Sequence, residues 1–252
     1  MRRNAFSWIL ALAVAGSPIL FAGTAAAGGK DTEKAEKGEM KRAEEMDEAE
    51  RAQMAADVIE ELLGAEDGEI PEYLLENAQG IAVIPNVVKG ALFVGGKFGK
   101  GLVAARQADG DWSAPAYVDL GGASYGLQIG VEATDLVLVF VEKDGLKALL
   151  EDNLKLGGEI SIAAGPIGRK AAAGTNLTLD SAIYSYSRTK GIFAGVSMEG
   201  AILNIDGSAN EAVYGAELTA EQILHNEELD TPEAAMPFHA ALHKHVPMKD
   251  AE

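Results

Sequence analysis

Residues 80–101 read GIAVIPNVVKGALFVGGKFGKG, six glycines and three lysines among branched apolar residues. Either the stretch is a loop that grips phosphate, or it is a set of strands that needs glycine to bend. A phosphate loop requires G-x-x-x-x-G-K-[ST], so that backbone amides wrap the phosphates and a hydroxyl reaches magnesium. Around Gly96-Lys97 the first glycine is replaced by Ala91 and the hydroxyl by Phe98, and Gly99 and Gly101 break the helix that should follow. The strand reading stands. Glycine weakens a strand, so its density here and at Gly121, Gly122, Gly126, Gly130, Gly157, Gly158, Gly195 and Gly200 asks for sharp coiling, bulges or barrel closure.

The pattern on either side fixes the class. From Arg42 to Leu63, Met46, Ala49, Met54, Ala55, Val58, Ile59, Leu62 and Leu63 recur at three- and four-residue steps between acids, which predicts an amphipathic helix docked on a domain. IPEYLLENAQG adds a short helix that opens at Pro71. The period then shortens. IAVIP (81–85), ALFVGGKF (91–98), LVAAR (102–106), AYVDLGG (116–122), YGLQIGVE (125–132), LVLVFVE (136–142), EISIAAGPIG (159–168), SAIYSYSR (181–188) and GIFAGVSMEGAIL (191–203) read as strands. Gly110 marks a hairpin, and residues 143–153 make one short helix. The links are too short for helical crossovers, so neighbours should be antiparallel. The C-terminal part is helical, with a capping box at Thr219/Gln222 and a helix opened by Thr231 and Pro232. The fold class is α+β: a glycine-rich, strongly curved antiparallel sheet, open or barrel-like, with an N-terminal amphipathic helix and C-terminal helices.

The chain divides into a signal peptide (1–27), a charged tether (28–41), a domain (42–225) and a C-terminal helical tail (226–252). Arg2 and Arg3, the apolar stretch Phe6–Phe21 and the small residues Ala25–Ala27 predict export, with cleavage after Ala27 to a periplasmic or secreted form. The chain has no cysteine, which excludes a disulfide frame, a lipid-anchored cysteine and a thiol nucleophile. From residue 28 onward there are 19 basic and 39 acidic residues, and 19 − 39 gives −20. That charge is a poor match for nucleic acid. It is uneven: −11 over 28–79, −1 over 80–200 and −8 over 201–252. Binding to an anion must therefore come from a local patch on the middle segment. Lys89, Lys97, Lys100, Arg106, Arg169, Lys170, Arg188 and Lys190 are the candidates: several fall at predicted strand ends or turns, which form an anion-binding rim next to exposed glycine backbone if those ends converge, and an ordinary mixed surface if they do not.

Two other patterns invite catalysis or metal. GASYG (122–126) matches G-x-S-x-G, but the following LQIGVE is β-like where a nucleophile elbow needs a helix, so a serine hydrolase using Ser124 is the weakest of three functions. His239 and His243 have the i,i+4 spacing of a zinc or copper pair, without a cysteine and with only Glu233 as a nearby acid. No catalytic residue, metal ligand or cofactor is assigned.

The long motifs GKGLVAAR, AAGPIGR and YSRTKGIFAGVSMEGA, in order between Ile59 and Tyr214, resemble the SYLF-domain family. The resemblance implies a non-catalytic domain that binds lipid, mainly phosphoinositides, and in eukaryotic members actin; there the lipid contact belongs to a basic N-terminal amphipathic helix. The reading is an exported SYLF-type protein that binds anionic phospholipid at the cell envelope. The alternative is an envelope interaction or structural protein with a protein partner.

Overall fold

The computed structural model describes residues 46–63, 70–90, 95–124, 133–151, 153–158, 160–167, 180–189 and 191–246. The predicted signal peptide and tether, the strand at 125–132 and the cations Arg169, Lys170 and Lys190 lie outside them. Helices α1 (Glu48–Leu63) and α2 (Glu72–Glu76) precede strands β1 (Gly80–Gly90), β2 (Gly95–Ala105), β3 (Ala116–Ser124) and β4 (Thr134–Phe140). Then come α3 (Lys143–Leu150), β5 (Asn153–Lys155), β6 (Ile162–Ala164), β7 (Ile183–Thr189), β8 (Ile192–Gly195) and β9 (Ala201–Ile205). The chain closes with α4 (Gly207–Tyr214), α5 (Ala220–Leu224), a 3-10 turn at Glu233–Ala235 and α6 (Met236–His245).

The strands form one sheet in the order β5-β9-β3-β2-β1-β4-β7-β6, with β8 also on β7. The sheet is strongly curled into a half-barrel, as the glycine content predicted. The ladders are antiparallel except β6 against β7. Apolar runs such as LVLVF are continuous because both faces are covered. On the front face Ile81, Val83, Leu102, Ala104, Val137 and Val139 pack under α1 and α6, through Ala55, Ile59, Leu62, Phe238 and Leu242. On the back face Ile84, Val103, Leu120, Leu138 and Phe140 meet Leu146 and Leu149 of α3 and Ile223 and Leu224 of α5.

Glycine acts where β1 crosses β2. A Cβ on Gly101 would lie 2.8 Å from Ile84 Cα, and one on Gly99 would lie 2.6 Å from Ile84 Cγ2. Asn86, with φ of 49°, supplies the bulge that shifts the register between Val83 and Val88.

Several local expectations change. Residues 91–98 and 102–106 were expected as two strands; Gly95–Ala105 is one, because Gly99 and Gly101 serve close approach without ending the ladder. The expected strand 191–203 is two, split before Gly200 (φ 79°), with β8 on β7 and β9 between β5 and β3. The strand expected at 159–168 shortens to Ile162–Ala164, ahead of Pro166. Gly80 opens β1, and Asn77 is the C-cap of α2. Thr231 caps nothing: Pro232 opens the 3-10 turn, and Pro237 sits in the first turn of α6. Helix α4 has little apolar periodicity and went unread; its N-cap, Asp206, accepts from Ala209 N–H. The capping box at Thr219/Gln222 is present.

Candidate functional site: two poles of the sheet

Helix α1 is docked, and the lock is ionic. Arg51 is 1 % exposed, and its Nη1 donates to Asp206 Oδ2 at 3.0 Å. Burial opposes the Asp206 charge, but hydrogen bonds from Ala209 N–H, Ser208 Oγ and Arg51 outweigh it and hold the carboxyl below its ordinary value. The guanidinium also lies 5.2 Å from the Tyr117 ring centroid, and Tyr117 donates its hydroxyl to Glu48 O at 3.1 Å. Asn210 of α4 accepts from Tyr117 N–H. Helix α1, strand β3 and the start of α4 thus converge on one guanidinium. The apolar side of α1 faces the core, so in this folded state it offers no free apolar stripe to a bilayer.

The sheet has two ends of different character. At the hairpin pole lie the C-terminal ends of β1 and β3, the N-terminal ends of β2 and β4, and the β7–β8 turn. The register sets Lys89 directly opposite Lys97 in the β1–β2 ladder. In sequence, residues 84–101, 120–131 and 183–198 contain Lys89, Lys97, Lys100, Arg188 and Lys190 and no acid. Acids enter from β4 and α1. Asp135 accepts from Asn86 N–H at 3.0 Å and from Arg188 Nε at 3.3 Å, and Glu61 pairs with the same guanidinium. Burial pushes the Asp135 carboxyl up against the Asn86 hydrogen bond. On the back face, Thr134 and Thr189 join their hydroxyls at 3.0 Å.

The opposite pole holds a groove of about 720 Å³ between the β2–β3 hairpin, α3 and α5. Its charges are mixed: Arg106, Lys143 and Lys147 beside Asp144, Glu221 and Glu227. Arg106 is a staple here. It lies 4.4 Å over the Trp112 ring and donates to Ala78 O, Gly110 O and Leu75 O at 2.8, 2.9 and 3.0 Å. Desolvation lowers its pKa.

The eight candidate cations therefore divide. Lys89 and Lys97 are ladder partners at the hairpin pole. Lys100 is on the front face, opposite Asp119 in the ladder, where burial and Asp206 push the Asp119 carboxyl up. Arg188 is on the front face within its acid pair, and Arg106 is at the other pole. Sequence reasoning missed Arg51 as a buried lock, although its i+4, i+7 and i+11 neighbours Ala55, Val58 and Leu62 already placed it on the apolar stripe.

Ser124 ends β3 opposite Gly95, a ladder position. His239 and His243 bring their Nε2 atoms within 3.3 Å of each other. The acid that reaches His243 is Asp111, at 2.9 Å, from the β2–β3 hairpin and not Glu233. His239 Nε2 is 3.0 Å from Trp112 O, and burial lowers its pKa. Among the described residues no set of three such donors is placed to hold a metal ion, and no helix is long and apolar enough to cross a membrane.

The chain belongs to the SYLF-domain family. Residues 121–245 match the family Ysc84, described as "Las17-binding protein actin regulator". An SH3 domain-containing protein of Schizosaccharomyces pombe is 41 % identical over 187 residues, 73 % of this chain and 43 % of that protein. Protein YSC84 of Saccharomyces cerevisiae is 38 % identical over 175 residues, 68 % of this chain and 37 % of its own length. The human SH3 domain-containing YSC84-like protein 1 is 35 % identical over 167 residues, 66 % of this chain and 48 % of its own length. The chain thus spans less than half the length of these relatives.

Proposed function

We propose that the protein is an exported, non-catalytic docking module that binds anionic phospholipid at the cell envelope through the hairpin pole. The observation that carries this reading is the cross-strand pair Lys89–Lys97, in strand stretches that carry no acid of their own, in a chain whose net charge is −18. Like charges directly opposed on a ladder destabilise it, so such a pair is retained where an anion offsets the repulsion. With α1 docked, the contact implied by the family resemblance passes from that helix to the sheet. Export rests on Arg2, Arg3 and the Phe6–Phe21 stretch.

Vesicle flotation tests it. The protein should float with vesicles of phosphatidylcholine mixed equally with phosphatidylglycerol or cardiolipin, and not with phosphatidylcholine alone. Added salt should weaken binding. Lys89→Gln and Lys97→Gln should each weaken it about fivefold, the effect of roughly 1 kcal/mol per surface cation. No flotation with any anionic vesicle at low salt removes the reading.

A second reading is a protein partner. Glu50, Asp57 and Glu60 form an exposed acidic side on α1, and one relative is named LAS seventeen-binding protein 3. Recovery of one stoichiometric protein from envelope extract, lost in Asp57→Lys/Glu60→Lys, would favour it. Serine hydrolysis at Ser124 is the weakest of the three readings, and a fluorophosphonate should leave the protein unlabelled.

A further inference from the structure

Two imidazoles from one helix meet the tip of the β2–β3 hairpin. His239 and His243, one turn apart on α6, bring their Nε2 atoms to 3.3 Å and their ring centroids to 4.4 Å. His239 Nε2 lies 3.0 Å from Trp112 O, and His243 Nε2 lies 2.9 Å from Asp111 Oδ1. A carbonyl and a carboxylate only accept, so each Nε2 carries the proton that it donates to the hairpin. Two N–H groups therefore face each other across the 3.3 Å contact. Any further proton goes to Nδ1 and turns its ring into a cation.

These contacts tie α6 to one wall of the groove. Asp111 Oδ1 also accepts from Trp112 N–H, and Asp111 O accepts from Gln107 N–H, each at 2.7 Å, which closes the turn. Gln107, Ala108 and Gly110 of that turn line the groove.

The charges around the pair do not balance on acidification. Asp111 is one carboxylate for two imidazoles, and Arg106, over the Trp112 ring, draws on the same carboxylate. Helix α1, which packs along α6, offers Glu60, but Lys244 takes it at 3.2 Å. Glu233 of the 3-10 turn and Asp109 of the hairpin are exposed, and Asp109 Oδ1 accepts from Asp111 N–H. His245, two positions past His243, lies on another side of the helix with its Nε2 buried. Asp111 can answer the first charge on the pair. A second sits beside the first in a half-buried place. Burial, and then the neighbouring His243, lower the His239 pKa against the pull of Trp112 O and Asp111.

We infer that the His239–His243 pair is an acid-released latch between α6 and the β2–β3 hairpin. At neutral pH both rings hold the hairpin. On acidification the rings turn out to solvent and the tip loosens beside the groove. The direction follows from linkage. A histidine held below its ordinary value favours the docked state while neutral, and that advantage is lost as pH falls below the free value of about 6.5. The latch lies at the pole opposite the lysine pair and does not depend on the lipid reading.

Hydrogen exchange of the full chain, corrected for the intrinsic pH dependence of exchange, tests it. Between about pH 7.5 and pH 5.5, where imidazoles titrate, residues 107–113 and 236–246 should lose protection by roughly threefold or more, while β4 stays protected. His239→Gln, whose amide can still donate to Trp112 O, should hold the tip at both pH values. His243→Gln should blunt the loosening, since it leaves one imidazole for Asp111. Asp111→Asn, which removes the carboxylate that answers the pair, should loosen the tip further at the lower pH. Equal protection of the wild-type tip at both pH values overturns the latch. So does protection lost in β4 to the same degree, which would be global unfolding. Loosening that persists in His239→Gln and disappears in His245→Gln or His225→Gln places the sensor elsewhere and also overturns it.

Discussion

Lys97 lies in β2, Arg106 follows directly after the last residue of that strand, and the two have opposite uses. At the groove pole Arg106 lies under a tryptophan and donates to three carbonyl oxygens, so its charge is absorbed by the fold. At the hairpin pole Lys97 faces a second lysine across the ladder, an arrangement that folding alone does not favour. From sequence both are cations near a strand end. The difference lies in what the neighbouring chain offers: carbonyl oxygens near the end of α2 and in the β2–β3 turn for one, a like charge across the ladder for the other. A cation that answers buried acceptors holds structure, and a like charge across the ladder gives the other no such use.

The strongest way to test that division is to remove a structural cation completely. Arg51→Ala leaves Asp206 buried without its partner, and breaking a buried ion pair from one side costs about 3–5 kcal/mol. Urea unfolding should show that loss, while vesicle binding per folded molecule stays unchanged. Binding that fell in step would place α1 in the lipid contact and break the comparison. The acid limb of stability sharpens it. The folded-state pKa of Asp206 is depressed, so its contribution is full above the unfolded value and disappears as pH falls through the folded one. Asp119 and Asp135 are shifted upward and act with the opposite sign. Comparison with Asp206→Asn therefore isolates this pair: the variant should be less stable at neutral pH and lose less on acidification below pH 4 or so.

Arg106→Ala ranks next. It leaves three carbonyls without this donor and removes the cation from the Trp112 face. A loss of roughly 2–4 kcal/mol follows from charge-assisted hydrogen bonds and one cation–π contact. Urea unfolding should report it, along with a change in Trp112 fluorescence. A loss below about 0.5 kcal/mol would put Arg106 among ordinary surface residues and return it to the pool of anion-binding candidates.

Much of this fold was legible. Period-two patterning and glycine density gave a bent antiparallel sheet, and three- and four-residue steps gave a docked α1. The misreadings share a cause. Gly99 and Gly101 looked like breaks because a sequence does not show that β1 crosses over them. Residues 191–203 looked continuous because strand propensity carries no information about which neighbour a strand will find. Helix α4 escaped because its main signal is the Asp206 cap, whose carboxylate also serves Arg51 from 155 positions away. The site was less legible for the same reason. Lys89 and Lys97 could be named as cations, but their opposition depends on a bulge at Asn86 that sets the register.

The smallest effect is the most discriminating, because its sign is unusual. If Lys89 and Lys97 repel across the ladder, Lys97→Gln should stabilise the free protein by a few tenths of a kcal/mol. Low ionic strength should enlarge the gain and salt should erase it. The same variant should bind anionic vesicles about fivefold more weakly. A surface lysine with no role moves neither quantity, and a lysine paired with an acid loses stability on neutralisation. Opposite movements of melting temperature and vesicle affinity are peculiar to a charge kept for an external anion. A Lys97→Gln melting curve below that of wild type at low salt would show that an acid of the chain already answers this lysine, and the contrast with Arg106 would then collapse.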